Sequence, residues 1–170
     1  DIQSELRQKA EEILEALRAL PAFEDLQDQI SVTVGPEGMR IQLNEASESS
    51  FFASGKADLS GRGGDAIRAI GRVLSTLPYH IALEGHTDSK PYGGAVGYTN
   101  WELSADRANS ARRLLTESGV DAVRIDAIRG YADTRPSFPD APLDPRNRRI
   151  EILVLNPALR EAGLPTPVGS

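Results

Sequence analysis

At 170 residues the chain is long enough to bury a sizeable core and fits one domain with decorated ends, since single cores are built from about 100–200 residues. Hydrophobic residues at 39% and charged residues at 26% make an ordinary globular balance, which excludes collagen-like, low-complexity and wholly disordered classes. A formal charge of -6 gives no overall attraction to a polyanion, so nucleic acid is not an expected partner, and the absence of cysteine excludes disulfides, thiolate chemistry and thiolate metal sites.

Ile2, Leu6, Ala10, Ile13, Leu17 and Leu20 recur every three or four residues between charged neighbours, which predicts an amphipathic helix over 2–20 bounded by Pro21. Its stripe can pack on the domain or form a short coiled-coil seam with a second chain; with fewer than three full heptads, packing on the domain is favoured. Residues 30–34 and 39–43 alternate β-branched and polar positions around Gly35-Pro36-Glu37-Gly38 and predict a hairpin. The small, polar stretch 44–64 is read as a loop pinned by Phe51 and Phe52, taken as core plugs.

Ile67, Ile70, Val73, Leu74 and Leu77 predict a helix over 65–77 that Pro78 ends, and residues 80–84 a strand ending at Gly85. After a loop over 87–99, Asn100 is expected to cap a helix running to Ser118, with Gly119 just past its end. Residues 124–128 read as a strand ending at Gly130, 134–146 as a Pro-rich loop, and 149–155 as a strand. The last residues, with three prolines, read as an extended tail over 157–170. The helix, strand, helix, strand order predicts an α/β two-layer sandwich, with helices on one face of a mixed sheet whose antiparallel strands are the hairpin and the C-terminal strand. The chain then divides into a helical linker at 1–20, a domain at 30–156 and the tail. No apolar run approaches the ~18 residues that cross a bilayer, and Asp1 opens no signal peptide. As it stands the chain reads as soluble and untargeted; the missing initial Met favours a segment cut from a longer protein.

Strand carboxyl ends and helix N-termini face one rim in such a layer, and ligands bind there. Gly85-His86-Thr87-Asp88 ends one strand, and Asn100 to Ala108 opens the next helix, so Asp88 and Arg107 can meet across a cleft. On the helical wheel Trp101, Ala108, Ala111 and Leu115 form the core face, with Leu103, Arg107 and Leu114 on its flank. An arginine among leucines needs an anionic partner. Asp88 could take an ammonium and Arg107 a carboxylate, which suits a zwitterion; a plain Asp88–Arg107 salt bridge, or two unrelated ones, is the alternative. An enzyme would have to use His86 and Asp88 as a metal pair, or as the base of a Ser104 nucleophile. With only His80 and His86, no cysteine and no GxSxG elbow, a three-ligand site would need carboxylates at other positions. His86 is therefore read as bonding nearby backbone, and no catalysis, metal or cofactor is expected.

The runs GHTDSKPY from Gly85, NWELSADRA from Asn100, GYADTRP from Gly130 and NRRIEILVLN from Asn147 together resemble the OmpA-like peptidoglycan-binding domains over about residues 50–156. Within them, EGMRIQL, FFASGKADLS, the long loop between Asp88 and Asn100 and GYTNWELSADRAN are most similar to the periplasmic region of MotB-type flagellar stator subunits. The resemblance implies a non-catalytic module that grips the stem peptide of peptidoglycan at its diaminopimelate. Asp88 and Arg107 match the ligand-carrying positions, and Asn100, Leu103, Thr87 and Arg148 match the same pocket. It further implies a homodimer, a channel-forming stator A subunit reached through a membrane segment, and a periplasmic domain of an inner-membrane protein. An outer-membrane lipoprotein or porin-type wall anchor is the alternative setting. Helix 2–20 is expected as an accessory to the dimer, its stripe needing cover. Strand alternation sends Arg148 and Arg149 to opposite faces, one of them solvated.

Overall fold

The computed structural model describes residues 1–46, 61–93 and 96–161. The first helix, α1 (Ile2–Arg18), starts where the Asp1 side chain accepts a hydrogen bond from the Ser4 N–H at 2.9 Å. Its Leu6, Ala10, Ile13 and Leu17 are buried in the chain's own core, against the helix Gly61–Leu74 and the strands Ile30–Gly35 and Gly38–Asn44. The stripe is therefore covered by the domain itself, the packing its length favoured over a coiled-coil seam, and it leaves no apolar surface to argue for a second chain. Each fully buried Leu or Ile contributes about 1.5–3 kcal/mol, so helix and core stabilise one another. A single turn, α2 (Phe23–Leu26), leads into the sheet.

Strands β1 (Ile30–Gly35) and β2 (Gly38–Asn44) form the expected antiparallel hairpin. Gly38 is required at the turn: its φ is +131°, and a Cβ there would lie 2.0 Å from the Val154 carbonyl oxygen. After α3 (Gly61–Leu74) come β3 (Ile81–His86), α4 (Asn100–Glu117), β4 (Ile125–Gly130) and β5 (Arg149–Leu155). The sheet order is β1-β2-β5-β3-β4; β3 and β4 run parallel, and every other pairing is antiparallel. The last strand thus inserts between the hairpin and β3. Met39, Ile41, Leu43, Ile81, Leu83, Ile150, Ile152 and Val154 face the helices, while Ala82, Leu153 and Leu155 form a smaller cluster on the other face. The mixed sheet with helices on one face is as the sequence predicts.

Glycines bring α4 down onto the sheet. A Cβ on Gly85 would meet the Ser104 carbonyl oxygen at 1.9 Å, and one on Gly130 would meet the Ala105 nitrogen at 2.7 Å. Helix α3 begins at Gly61 rather than 65, because Gly63 and Gly64 are buried in packing that outweighs the poor helix propensity of glycine. Gly85 and His86 lie inside β3, one step beyond the strand end expected from Gly85. The tail is not extended at its start: Pro157–Glu161 forms a short helix, α5, whose Ala158 N–H donates to Asn156 Oδ1 at 2.9 Å. Phe51, Phe52 and residues 162–170 lie outside the described residues.

Candidate functional site

Because β5 is antiparallel to both its neighbours, its N-terminal end meets the C-terminal ends of β2 and β3: Arg149 pairs with Asn44 on one side and His86 on the other. The residues just outside the ladder, Glu45, Arg148 and Asp88, are thereby brought onto one rim. The Asp88 Oδ1 accepts the Lys90 N–H at 3.0 Å, and Oδ2 accepts Arg148 Nη1 at 2.7 Å. Arg148 Nε donates a short hydrogen bond to Glu45 Oε2, and the Glu45 N–H donates to the Arg148 carbonyl at 2.9 Å. Burial alone would depress the Arg148 guanidinium, but hydrogen bonds to Glu45 and Asp88 outweigh it and raise its pKa.

Arg107 comes from α4, one turn after Leu103, and is only 7% exposed. Its pKa is lowered, chiefly by desolvation; the Glu45 carboxylate is the largest charge opposing that shift, Arg148 adds to it, and Asp88 opposes it more weakly. The rim therefore gathers two guanidiniums and two carboxylates, of which Arg107, Glu45 and Asp88 are buried and Arg148 is half-buried. Asp88 and Arg107 share this field, and Asp88 is also hydrogen-bonded to Arg148.

Thr87 is buried, with its N–H on the Ala132 carbonyl (2.8 Å) and its hydroxyl on the Asp88 carbonyl (2.8 Å), so it braces the turn that carries Asp88. Asn100 is not the helix cap: Thr99 fills that place in a reciprocal capping box with Glu102. The Asn100 side chain instead donates to the Lys90 carbonyl at 3.0 Å, tying the helix start to the loop after Asp88. Leu103 is buried one turn before Arg107 on α4. Trp101 is 55% exposed rather than core, because the strand ends lie under Ser104 and Ala105 and the first turn of α4 runs past them. Tyr98 donates to Asp106 Oδ2 at 2.5 Å, and burial, then this bond, raises its pKa.

Glu45 escapes sequence reasoning, since a lone glutamate before a polar stretch carries no local signal; only its place opposite the NRR run could have pointed to it. Arg148 and Arg149 do point to opposite faces, but neither is solvated freely: Arg149 is 3% exposed and bonds Glu151 (3.0 Å), Asn147 O (3.2 Å) and Arg135 O (2.8 Å). On that reverse face His86 is buried against carboxylates rather than backbone, with Nε2 3.2 Å from Glu151 Oε2 and 3.6 Å from Glu84 Oε1 and its ring stacked on Tyr131. Burial would raise the Glu151 pKa, but hydrogen bonds from His86, Gln42 and Arg40 and the charge of Arg149 hold it well below the usual carboxylate range. Glu84, His86 and Glu151 are the described residues whose donor atoms could surround a metal ion, all within 4.8 Å of one another. Arg40, Arg129 and Arg149 already neutralise both carboxylates, so the arrangement suits an ion-pair network better than a dication. Ser104, the nucleophile an enzyme would need, is buried, donating to the Trp101 carbonyl (3.0 Å) and accepting the Ala132 N–H (3.1 Å).

Residues 51–149, a stretch that spans the four motifs up to the start of β5, match the OmpA family. The chain belongs to the OmpA family. Relatives it is similar to include Motility protein B of Escherichia coli (strain K12), 38% identical over 161 residues that cover 94% of this chain and 52% of that protein. Motility protein B of Bacillus subtilis (strain 168) is 30% identical over 133 residues, 76% of this chain and 50% of that one. The chain spans about half the length of the curated relatives it matches. Among solved structures, a MotB-like protein from Desulfovibrio vulgaris superposes with a TM-score of 0.73 at 21% identity, covering 91% of this chain and 97% of the other, which establishes a shared fold. The cell wall anchor of the T6SS from Pseudomonas aeruginosa gives 0.64 at 27% identity, over 79% of this chain and 93% of the other.

Proposed function

We propose that the chain is a non-catalytic peptidoglycan-binding domain that anchors a flagellar motor stator to the cell wall by gripping the diaminopimelate of the stem peptide. The rim cluster carries this reading. Asp88 offers a carboxylate to an ammonium, Arg107 offers a planar guanidinium to a carboxylate, and the amino-acid end of diaminopimelate carries both groups. Ion pairing of this kind makes and breaks no covalent bond. Similarity to Motility protein B supports the stator setting, and similarity to a cell wall anchor supports the ligand.

In that setting the domain lies in the periplasm, and the protein is held in the inner membrane by a segment outside these residues; no helix among the described residues is long and apolar enough to cross a membrane. It works as a homodimer beside a channel-forming stator A subunit, and its grip on the wall lets torque act on the rotor. Cosedimentation with purified sacculi, followed by analysis of released muropeptides, tests the reading. Pelleting without soluble fragments is the expected result. Release of fragments would make the domain a hydrolase, and failure to pellet would overturn wall binding.

A further inference from the structure

A zwitterionic head needs one cation and one anion, whereas the rim holds two of each. Resting on the peptidoglycan reading, we infer that Glu45 is a specificity-determining residue: it balances the charge of these four rim groups and so selects a head bearing both ammonium and carboxylate over one bearing carboxylate alone. The charges are Arg107 and Arg148 against Asp88 and Glu45. Glu45 is 2% exposed and lies where the end of β2 meets the start of β5. Its carboxylate takes Arg148 Nε, which turns Nη1 of the same guanidinium toward Asp88 at 2.7 Å. It is also the largest charge opposing the desolvation of Arg107, whereas Arg148 repels that residue. One carboxylate thus compensates two neighbouring arginines. With Glu45 neutral, both guanidiniums would fall on Asp88 and on the ligand: a bare carboxylate would gain attraction, and an ammonium would meet a cationic rim with its Asp88 partner more tightly occupied.

Glu45→Gln keeps the size of the side chain and the backbone hydrogen bond to Arg148, so it removes charge with little change of shape. Titration calorimetry with meso-diaminopimelate and with pimelate, the same carbon chain without ammonium groups, gives the readout. The wild type should prefer diaminopimelate, and in Glu45→Gln the ratio of the two affinities should fall by about tenfold or more. The double variant Glu45→Gln/Arg148→Gln restores neutrality and leaves no surplus buried cation, so its ratio should return to within about threefold of wild type. A structural role alone would weaken both probes equally. An unchanged ratio in Glu45→Gln, or a double variant as unselective as the single one, would overturn the inference while leaving wall binding intact. A wild type that binds neither probe would overturn both.

Discussion

Replacing Gly85 by alanine probes the approach of α4 to the sheet, on which the position of Arg107 depends. The added Cβ would sit 1.9 Å from the Ser104 carbonyl oxygen and 2.8 Å from its carbon, both main-chain atoms that cannot rotate away. Relief to the 3.0 Å that real Cβ contacts respect requires about 1.1 Å of separation between β3 and α4. The helix is not free to give: Ser104 Oγ accepts the Ala132 N–H at 3.1 Å, and Gly130 makes the same close approach at Ala105 on the neighbouring strand. Overpacking of this kind costs about 1–3 kcal/mol, and backbone on backbone places Gly85→Ala at the upper end, about 3 kcal/mol or a fall of about 6–12 °C in Tm. Arg107 lies three residues beyond Ser104 and moves with the helix, so binding to sacculi should fall by about tenfold or more, because paired charges must be held to within about 0.5 Å. Urea denaturation followed by circular dichroism, with cosedimentation alongside, measures both effects. Gly61→Ala, whose Cβ would meet nothing within 4 Å, serves as the control and should be neutral or slightly stabilising. A Gly85→Ala protein with wild-type midpoint, slope and sacculus binding would refute the close-packing account.

Asp88→Asn and Arg107→Ala should each lose about 2–5 kcal/mol of binding while remaining folded, and Arg107→Lys should also bind poorly because an ammonium lacks the bidentate fork; wild-type pelleting of folded Arg107→Ala would remove that residue from the site. Ile13, fully buried in α1, should cost about 2–5 kcal/mol of stability as alanine, measured by chemical denaturation; a loss under about 1 kcal/mol would mean that the helix is a detachable linker rather than part of the core. Glu151 has its folded pKa depressed below its ordinary value of 4.5, so its contribution is complete above that pH and is lost as pH falls through the folded value. Wild-type stability should therefore decline below about pH 4.5, and Glu151→Gln, less stable at neutral pH, should decline with a shallower slope; parallel curves would show that the network does not depend on this carboxylate.

Local patterns carried much of the architecture. Alternation about Gly35–Gly38 located the hairpin, three- and four-residue spacing located α1, most of α3 and α4, and the β-branched run after Arg149 located β5, since side-chain period is a property of adjacent residues. Charge and position likewise singled out Asp88 and Arg107 before any coordinates, and the family resemblance added Arg148. Where helix ends depended on distant packing, local signals missed: the start of α3 moved back to Gly61 because Gly63 and Gly64 are buried, and Trp101 lies exposed because the strands stop beneath Ser104.

The insertion of β5 between β2 and β3 has no local signature, because strand order is decided by which faces bury together across the whole sheet. That insertion places Arg148 between Glu45 and Asp88 and lines up Glu84, His86 and Glu151 beneath three arginines on the reverse face. The sequence by itself determined the main elements, the apolar faces and three of the four charged residues of the rim, Glu45 being the exception. Tertiary structure alone decided which charge compensates which, because ion pairs form between residues up to 111 positions apart in the chain, and only the folded sheet brings them within hydrogen-bonding distance.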